Sequence, residues 1–213
     1  MKTKFTWAWM GLVAALLWVG GAAVSFSHAQ GIPADSALYR LKLTRYAQAQ
    51  FGAGANVAVL AAQVQQESNW KPNASSGVAH GLTQFTKPTG QWITTICTDL
   101  APMDLYDPDW SLRAQSCYMR YLTKSITTAA TECDLWAFAL ADYNGGRKWR
   151  LKEADLAAKA GANPRVWFGS VALFRARGVP AYNENRGYPR RILLDLQPRY
   201  VRAGYPGAVL CRP

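Results

Sequence analysis

Histidine is almost absent from this chain: 213 residues hold two, His28 and His80. Cysteine is sparse as well, with Cys97, Cys117, Cys133 and Cys211 and no Cys-x-x-Cys pair among them. Zinc spacings are therefore missing, and neither a metal site nor a cofactor is expected. Acidic residues are few, 13 against 24 Lys and Arg, which gives a formal net charge of +11. That excess draws a protein toward polyanions. The basic residues are nonetheless dispersed, with short clusters only at Arg147-Lys148-Trp149-Arg150 and Arg190-Arg191. No long basic run and no nucleic-acid motif is present, so no nucleic-acid partner is expected and other anionic surfaces remain. Strand-like alternation is scarce, and there is no repeat or low-complexity linker. What is there is a chain 50% apolar and 12% aromatic, the composition of a globular protein.

The N-terminus reads as a targeting segment. Lys2 and Lys4 are followed by an uncharged stretch, 5–26, and then by Ser27-His28-Ala29. Small residues at the two positions a signal peptidase reads make 1–29 a signal peptide, with Gln30 first in the mature chain. The competing reading is a releasable signal anchor giving transient membrane attachment, since about 20 apolar residues span a bilayer. Either route exports the rest: to the periplasm or outside after cleavage, or tethered at the inner membrane. An even set of cysteines in an exported chain implies disulfides, and the pairing is left open. Residues 31–213 read as one mostly helical domain.

Helical periodicity dominates that domain. Helices are expected at 35–49, 57–69, 110–126 and 132–143. Asp107-Pro108-Asp109 starts the third, and Asn144-Gly145-Gly146 stops the fourth. Two apolar patterns follow around 151–160 and 166–177. A last helix is expected to begin at Pro189 and to run until Pro198. In the second helix, Val57, Leu60, Val64 and Glu67 fall within an arc of roughly 80°, which points the Glu67 carboxyl inward.

Glu67 ends an apolar helix pattern and is followed by Ser68-Asn69-Trp70-Lys71-Pro72-Asn73-Ala74-Ser75, then Ala79-His80-Gly81-Leu82-Thr83-Gln84. A carboxyl placed among apolar groups holds its proton near neutral pH, as a general acid must. Two further segments stand out: Ala139-Leu140-Ala141-Asp142-Tyr143-Asn144-Gly145-Gly146, and Tyr182-Asn183-Glu184-Asn185-Arg186-Gly187-Tyr188-Pro189. Tyr143 shares a helix face with Trp136, Ala139 and Leu140, so it too points inward, whereas Asp142 faces elsewhere.

In this order the three segments resemble the motifs of the soluble lytic transglycosylases, relatives of goose-type lysozyme that cut peptidoglycan. The resemblance spans about residues 63–193. It implies a mainly α, lysozyme-like domain with little or no sheet. Glu67 is implied as general acid and then general base, with Ser75, Gly81 and Gln84 lining the sugar subsites and Gly81 allowing close backbone approach. Tyr143 would hydrogen-bond the catalytic carboxyl, Asn144 would hold substrate, Glu184 would support the site and Tyr188 would line the cleft. Trp70, Phe85, Trp92, Tyr143 and Tyr188 are candidates to pack on sugar faces. The partner implied is the glycan strand of peptidoglycan, cut by a monomer. No second carboxylate stands beside Glu67 in the sequence, so the implied route closes a 1,6-anhydro ring on N-acetylmuramic acid. A hydrolytic lysozyme on the same fold (a phage endolysin among them) and a non-catalytic wall-binding scaffold are the alternatives. The chain departs from the family pattern at Val78 (usually Gly), Thr83 (usually Met, and read as cleft-side), Lys87 (usually Pro) and Gly145 (usually Ala, and read as neutral).

Overall fold

The computed structural model describes residues 31–212, so the expected signal or anchor segment 1–29 lies outside the described residues. The chain folds into helices around one central helix. α1 (Ser36–Phe51) ends at Gly52, whose φ of 81° suits glycine. α2 (Val57–Ser68) follows, its first turn capped by Asn56 Oδ1, which accepts from the Val59 amide at 3.2 Å. Every residue from Val57 to Val64 is buried, Gln63 included. α2 is thus not an amphipathic surface helix but one enclosed nearly all round, and inwardness alone does not set Glu67 apart.

The only described sheet is a two-residue antiparallel pair, β1 (Ala79–His80) with β2 (Phe85–Thr86). β2 leads into α3 (Lys87–Ile96), which the periodicity did not suggest. Its start is nevertheless written in the chain. Thr86 caps it by accepting from the Thr89 amide at 3.3 Å, and Pro88 occupies the first turn. α4 (Pro108–Ser125) starts where expected, with the Asp107 carboxylate accepting from the amides of Asp109 at 3.0 Å and Trp110 at 3.3 Å. α5 (Glu132–Gly145) stops at Gly146, φ 85°. α6 (Arg147–Lys159) takes up the pattern around 151–160.

The C-terminal third differs from expectation. Residues 166–177 form turns and one short 3₁₀ stretch, Val171–Leu173, in place of regular helix. The last long helix, α7 (Val179–Arg190), starts ten residues before Pro189, with Pro180 in its first turn. Pro189 lies inside it. A proline there removes one helical hydrogen bond, and the chain continues through a widened π turn, Arg191–Leu196, into α8 (Gln197–Arg202). Pro198 therefore sits in a first turn and ends nothing.

α1 packs on α4, α5 on α4, α6 and α7, and α2 on the π turn and α8. Two disulfides tie this together: Cys97–Cys117 joins the end of α3 to α4, and Cys133–Cys211 joins the first turn of α5 to the C-terminal tail. No helix among the described residues is long and apolar enough to cross a membrane.

Candidate active site

Glu67 stands in the last turn of α2, where the helix leaves the core. The helix stops at once after it. Asn69 and Trp70 both adopt left-handed backbone, φ 52° and 65°. For non-glycine residues this stores of order 1–3 kcal/mol each. Trp70 holds the turn in place: it is fully buried, donates from Nε1 to Tyr200 Oη at 2.6 Å and stacks on Tyr39 at 5.9 Å between centroids. Trp70 is thereby an anchor for the turn rather than a sugar platform, which corrects the expectation from its position.

A cleft of about 550 Å³ opens over Glu67, walled by Phe85, Tyr118, Tyr143, Asn144 and Glu184. A second lobe of about 410 Å³ shares Glu67, Asn144 and Glu184 and adds Tyr188. Burial pushes the Glu67 carboxyl from 4.5 up to about 8; the hydrogen bond from Tyr188 works against that rise, and the negative charge of Glu184 adds to it. The negative end of the α2 dipole acts in the same sense as burial. Glu67 therefore keeps its proton at pH 7. Glu184 was not expected to act on Glu67 electrostatically, and a second carboxylate does share this cleft.

Behind Glu67 lies a buried relay. Gln115 Nε2 donates to Gln63 Oε1 at 2.9 Å, Gln63 Nε2 donates to Tyr188 Oη at 3.1 Å, and Tyr188 Oη donates to Glu67 Oε1. Every donor points toward Glu67. Oε1 is thus occupied as an acceptor, which leaves Oε2 to carry the proton of the neutral acid. Gln63 and Gln115 are both fully buried. The sequence signal for Gln63 is a lone amide in an apolar run, one turn before Glu67. Gln115 carries no comparable signal.

The tyrosines exchange the roles the motifs suggested. Tyr143 Oη donates to the Thr83 carbonyl at 2.8 Å and not to Glu67. Tyr188 makes the contact with the acid. The two rings stack at 6.5 Å and 8°, and Tyr143 continues to Tyr118 at 5.3 Å. Desolvation pushes the Tyr118 phenol up to about 12, so it stays neutral at the cleft wall. Phe85 lines the cleft, while Trp92 stands farther out against Tyr118 at 5.6 Å, 39% exposed.

The loop after Glu67 is held mostly by its own contacts. Ser75 Oγ meets His80 Nδ1 at 3.0 Å and accepts from the Gly77 amide at 3.2 Å; its neighbour Ser76 lines the cleft instead. Gln84 lines the cleft, but its Nε2 donates to the carbonyls of Ala74 at 3.2 Å and Gly81 at 3.0 Å, closing the loop. Gly81 has φ 77°, and a Cβ there would overlap the Leu105 carbonyl. Its missing side chain admits Leu105, not a sugar. Thr83 is fully buried and not cleft-side, whereas Val78 lines the cleft. Asn144 donates to Glu184 Oε1 at 3.1 Å and accepts from Asn185 Nδ2 at 3.0 Å. Asp142, expected to face elsewhere, in fact lines the cleft wall, where it is buried and pairs with Arg150 at 2.7 Å.

A helical body with a short hairpin beside one protonated glutamate defines a lysozyme-like domain. Its family follows from comparison: residues 45–164 match the transglycosylase SLT domain, and the chain belongs to that family. The membrane-bound lytic murein transglycosylase F of Yersinia enterocolitica is 30% identical over 170 residues, covering 71% of this chain and 34% of that protein. The protein of the same description from Vibrio cholerae is 29% identical over 165 residues, covering 68% of this chain and 30% of its own length. This chain thus spans about a third of the curated relatives it matches. Among solved structures, the 70 kDa soluble lytic transglycosylase of Escherichia coli superposes with a TM-score of 0.57 at 22% identity, over 81% of this chain and 26% of that one.

Proposed function

We propose that this protein is a peptidoglycan lytic transglycosylase with Glu67 as its only acid/base. The observation that carries the reading is a carboxyl that lines a glycan-sized cleft and still holds its proton at neutral pH. Its Oε2 proton passes to the glycosidic oxygen between N-acetylmuramic acid and N-acetylglucosamine as the C1–O bond breaks. The muramic acetamido oxygen stabilises the cation at C1. The Glu67 carboxylate then lies in a desolvated site that strongly favours its protonated form, so it is an avid base. It removes the proton from the muramic 6-hydroxyl as O6 bonds to C1. Tyr188 supports the transient carboxylate through its hydrogen bond to Oε1. The names of the matched relatives and the family itself favour this product.

The presence of Glu184 in the cleft favours a second reading, hydrolysis by a pair of carboxylates. Digestion of purified peptidoglycan by the protein and by its Glu67→Gln variant, with products weighed by mass spectrometry, decides. Anhydromuropeptides from the wild type alone support the transglycosylase. Hydrated reducing ends, heavier by one water, overturn it in favour of the lysozyme reading. The two disulfides and the Ser27-His28-Ala29 segment support action outside the cytoplasm, in an oxidising compartment.

A further inference from the structure

A lobe of about 320 Å³ runs off the main cleft, sharing Asn144, Gly145 and Glu184 with it and adding Trp149, Arg177 and Gly178. Its base is a built cationic site. Glu153, fully buried, accepts from Arg177 Nε at 2.9 Å and Nη2 at 3.0 Å, and from Arg186 Nη2 at 2.7 Å. Two guanidiniums share one carboxylate, so the cluster keeps one positive charge. Arg177 is only 6% exposed and is clamped on two of its three nitrogens. The third, Nη1, has no partner among the described residues and lies against Gly145, where an added Cβ would overlap both it and Asn185 Nδ2. The family pattern has alanine at this position. The glycine is therefore not neutral, because it makes the room in which Nη1 meets the lobe. Trp149 stands beside the guanidinium, 6.0 Å from ring centroid to Cζ.

We propose that this lobe is a carboxylate-binding subsite that receives the acidic arm of a muramic unit lying in the main cleft. This rests on the peptidoglycan reading above. A guanidinium held rigidly by an ion pair presents preorganised N–H donors, the arrangement that suits a carboxylate. The flat Trp149 ring covers the apolar part of the arm. Glu184 on the shared wall repels an anion placed close to it, which sets the carboxylate at the Arg177 end. Two carboxylates of the wall fit this chemistry: the lactyl group once its peptide is removed, and the acidic residues of the stem peptide itself.

The test runs in the Glu67→Gln background, where no probe is cut, and compares that parent with Trp149→Ala, which removes the ring over the arm, and Arg177→Lys, which keeps the pairing cation but leaves no nitrogen over. Calorimetry reads affinity for three probes: a peptide-bearing muropeptide chain, the same glycan stripped of peptide to free lactyl groups, and chitohexaose, which has no carboxylate. Melting temperatures verify folding, and Trp149→Ala carries the test alone if Arg177→Lys does not fold. Arg177→Lys is expected to weaken the carboxylate-bearing probes roughly tenfold, the loss of one charged hydrogen bond, and Trp149→Ala severalfold, with chitohexaose changed less than about twofold by either. Loss on the peptide-bearing probe alone identifies the stem, and loss on the stripped glycan identifies the lactyl group. Unchanged affinity for both, or an equal loss of chitohexaose, overturns the subsite. Because the readout is affinity, a wild type that binds and does not cut would refute the proposed activity while leaving this test intact.

Discussion

Replacing Glu67 by Gln is expected to abolish wall cleavage and, above neutral pH, to stabilise the fold. The carboxyl holds its proton to about 8 in the native state against 4.5 ordinarily. At ~1.4 kcal/mol per unit this gap is worth ~5 kcal/mol. An unfolded chain releases this proton at its ordinary value, so over the interval between the two the native state binds one proton more. Stability then falls as pH rises, by ~1.4 kcal/mol per pH unit. The contribution is whole below the unfolded value and is lost as pH climbs through the folded one. Glutamine is isosteric, still accepts from Tyr188, and does not titrate. The stability difference between variant and wild type should therefore grow by ~5 kcal/mol from pH ~4.5 to ~9. Urea unfolding followed by tryptophan fluorescence, disulfides intact, measures it at each pH. Parallel pH profiles for the two proteins would refute the reasoning, because Glu67 would then ionise like an exposed glutamate and lose its standing as a neutral-pH acid.

Wild-type cleavage should fall as pH passes about 8, and Tyr188→Phe should move that limb to higher pH while lowering the rate, since the lost hydrogen bond favoured the ionised form; a pH–rate profile reads both. Replacing Cys133 and Cys211 together by Ser opens a loop spanning 78 positions. That should lower stability by ~4 kcal/mol and the melting temperature by ~8–16 °C, read by calorimetry. Gly81→Ala meets both a positive φ and the Leu105 carbonyl. A loss of ~2–4 kcal/mol is expected, with chitohexaose binding weakened as the loop shifts; unaltered melting would mean that the turn relaxes freely.

Local signals made most of this fold readable. The Asp107 cap, the Gly52 and Gly146 stops and the 3.6-residue periodicity are short-range, and the helices they delimit lie within two residues of expectation except at the start of α6. The misreadings came from choices that tertiary contacts make. Pro180 and Pro189 offer equal start signals, and only the packing of α7 along α5 selects the first. α3 was missed because its cap is clear but its apolar stripe is short. In the site, Glu67 was legible from its place between an apolar helix and a breaking loop. The exchange of roles between Tyr143 and Tyr188 was not, because both face inward and only the distance across the cleft decides which hydroxyl reaches the acid. Gly145 shows the same limit: its reasons are Arg177 and Asn185, thirty-two and forty residues away in sequence and invisible to any local pattern.

The unfavourable features of this molecule are crowded around one side chain. A carboxyl is desolvated, two non-glycine residues sit at positive φ directly after it, and two amides are buried one helical turn behind it or beside that turn. Each is destabilising alone. They persist because the apolar run from Val57 to Val64 and the buried Trp70 leave the end of α2 no alternative position. Each amide nitrogen is also paired, so the relay adds orientation without leaving an orphaned donor beside the acid. A rigid helix, buried from Val57 to Val64, that ends abruptly at a cleft is what lets a glutamate stay protonated and fixed in direction at once. A flexible loop would let water reach the carboxyl and return it to its ordinary value, so the strain at Asn69 and Trp70 follows from the same requirement as the raised pKa.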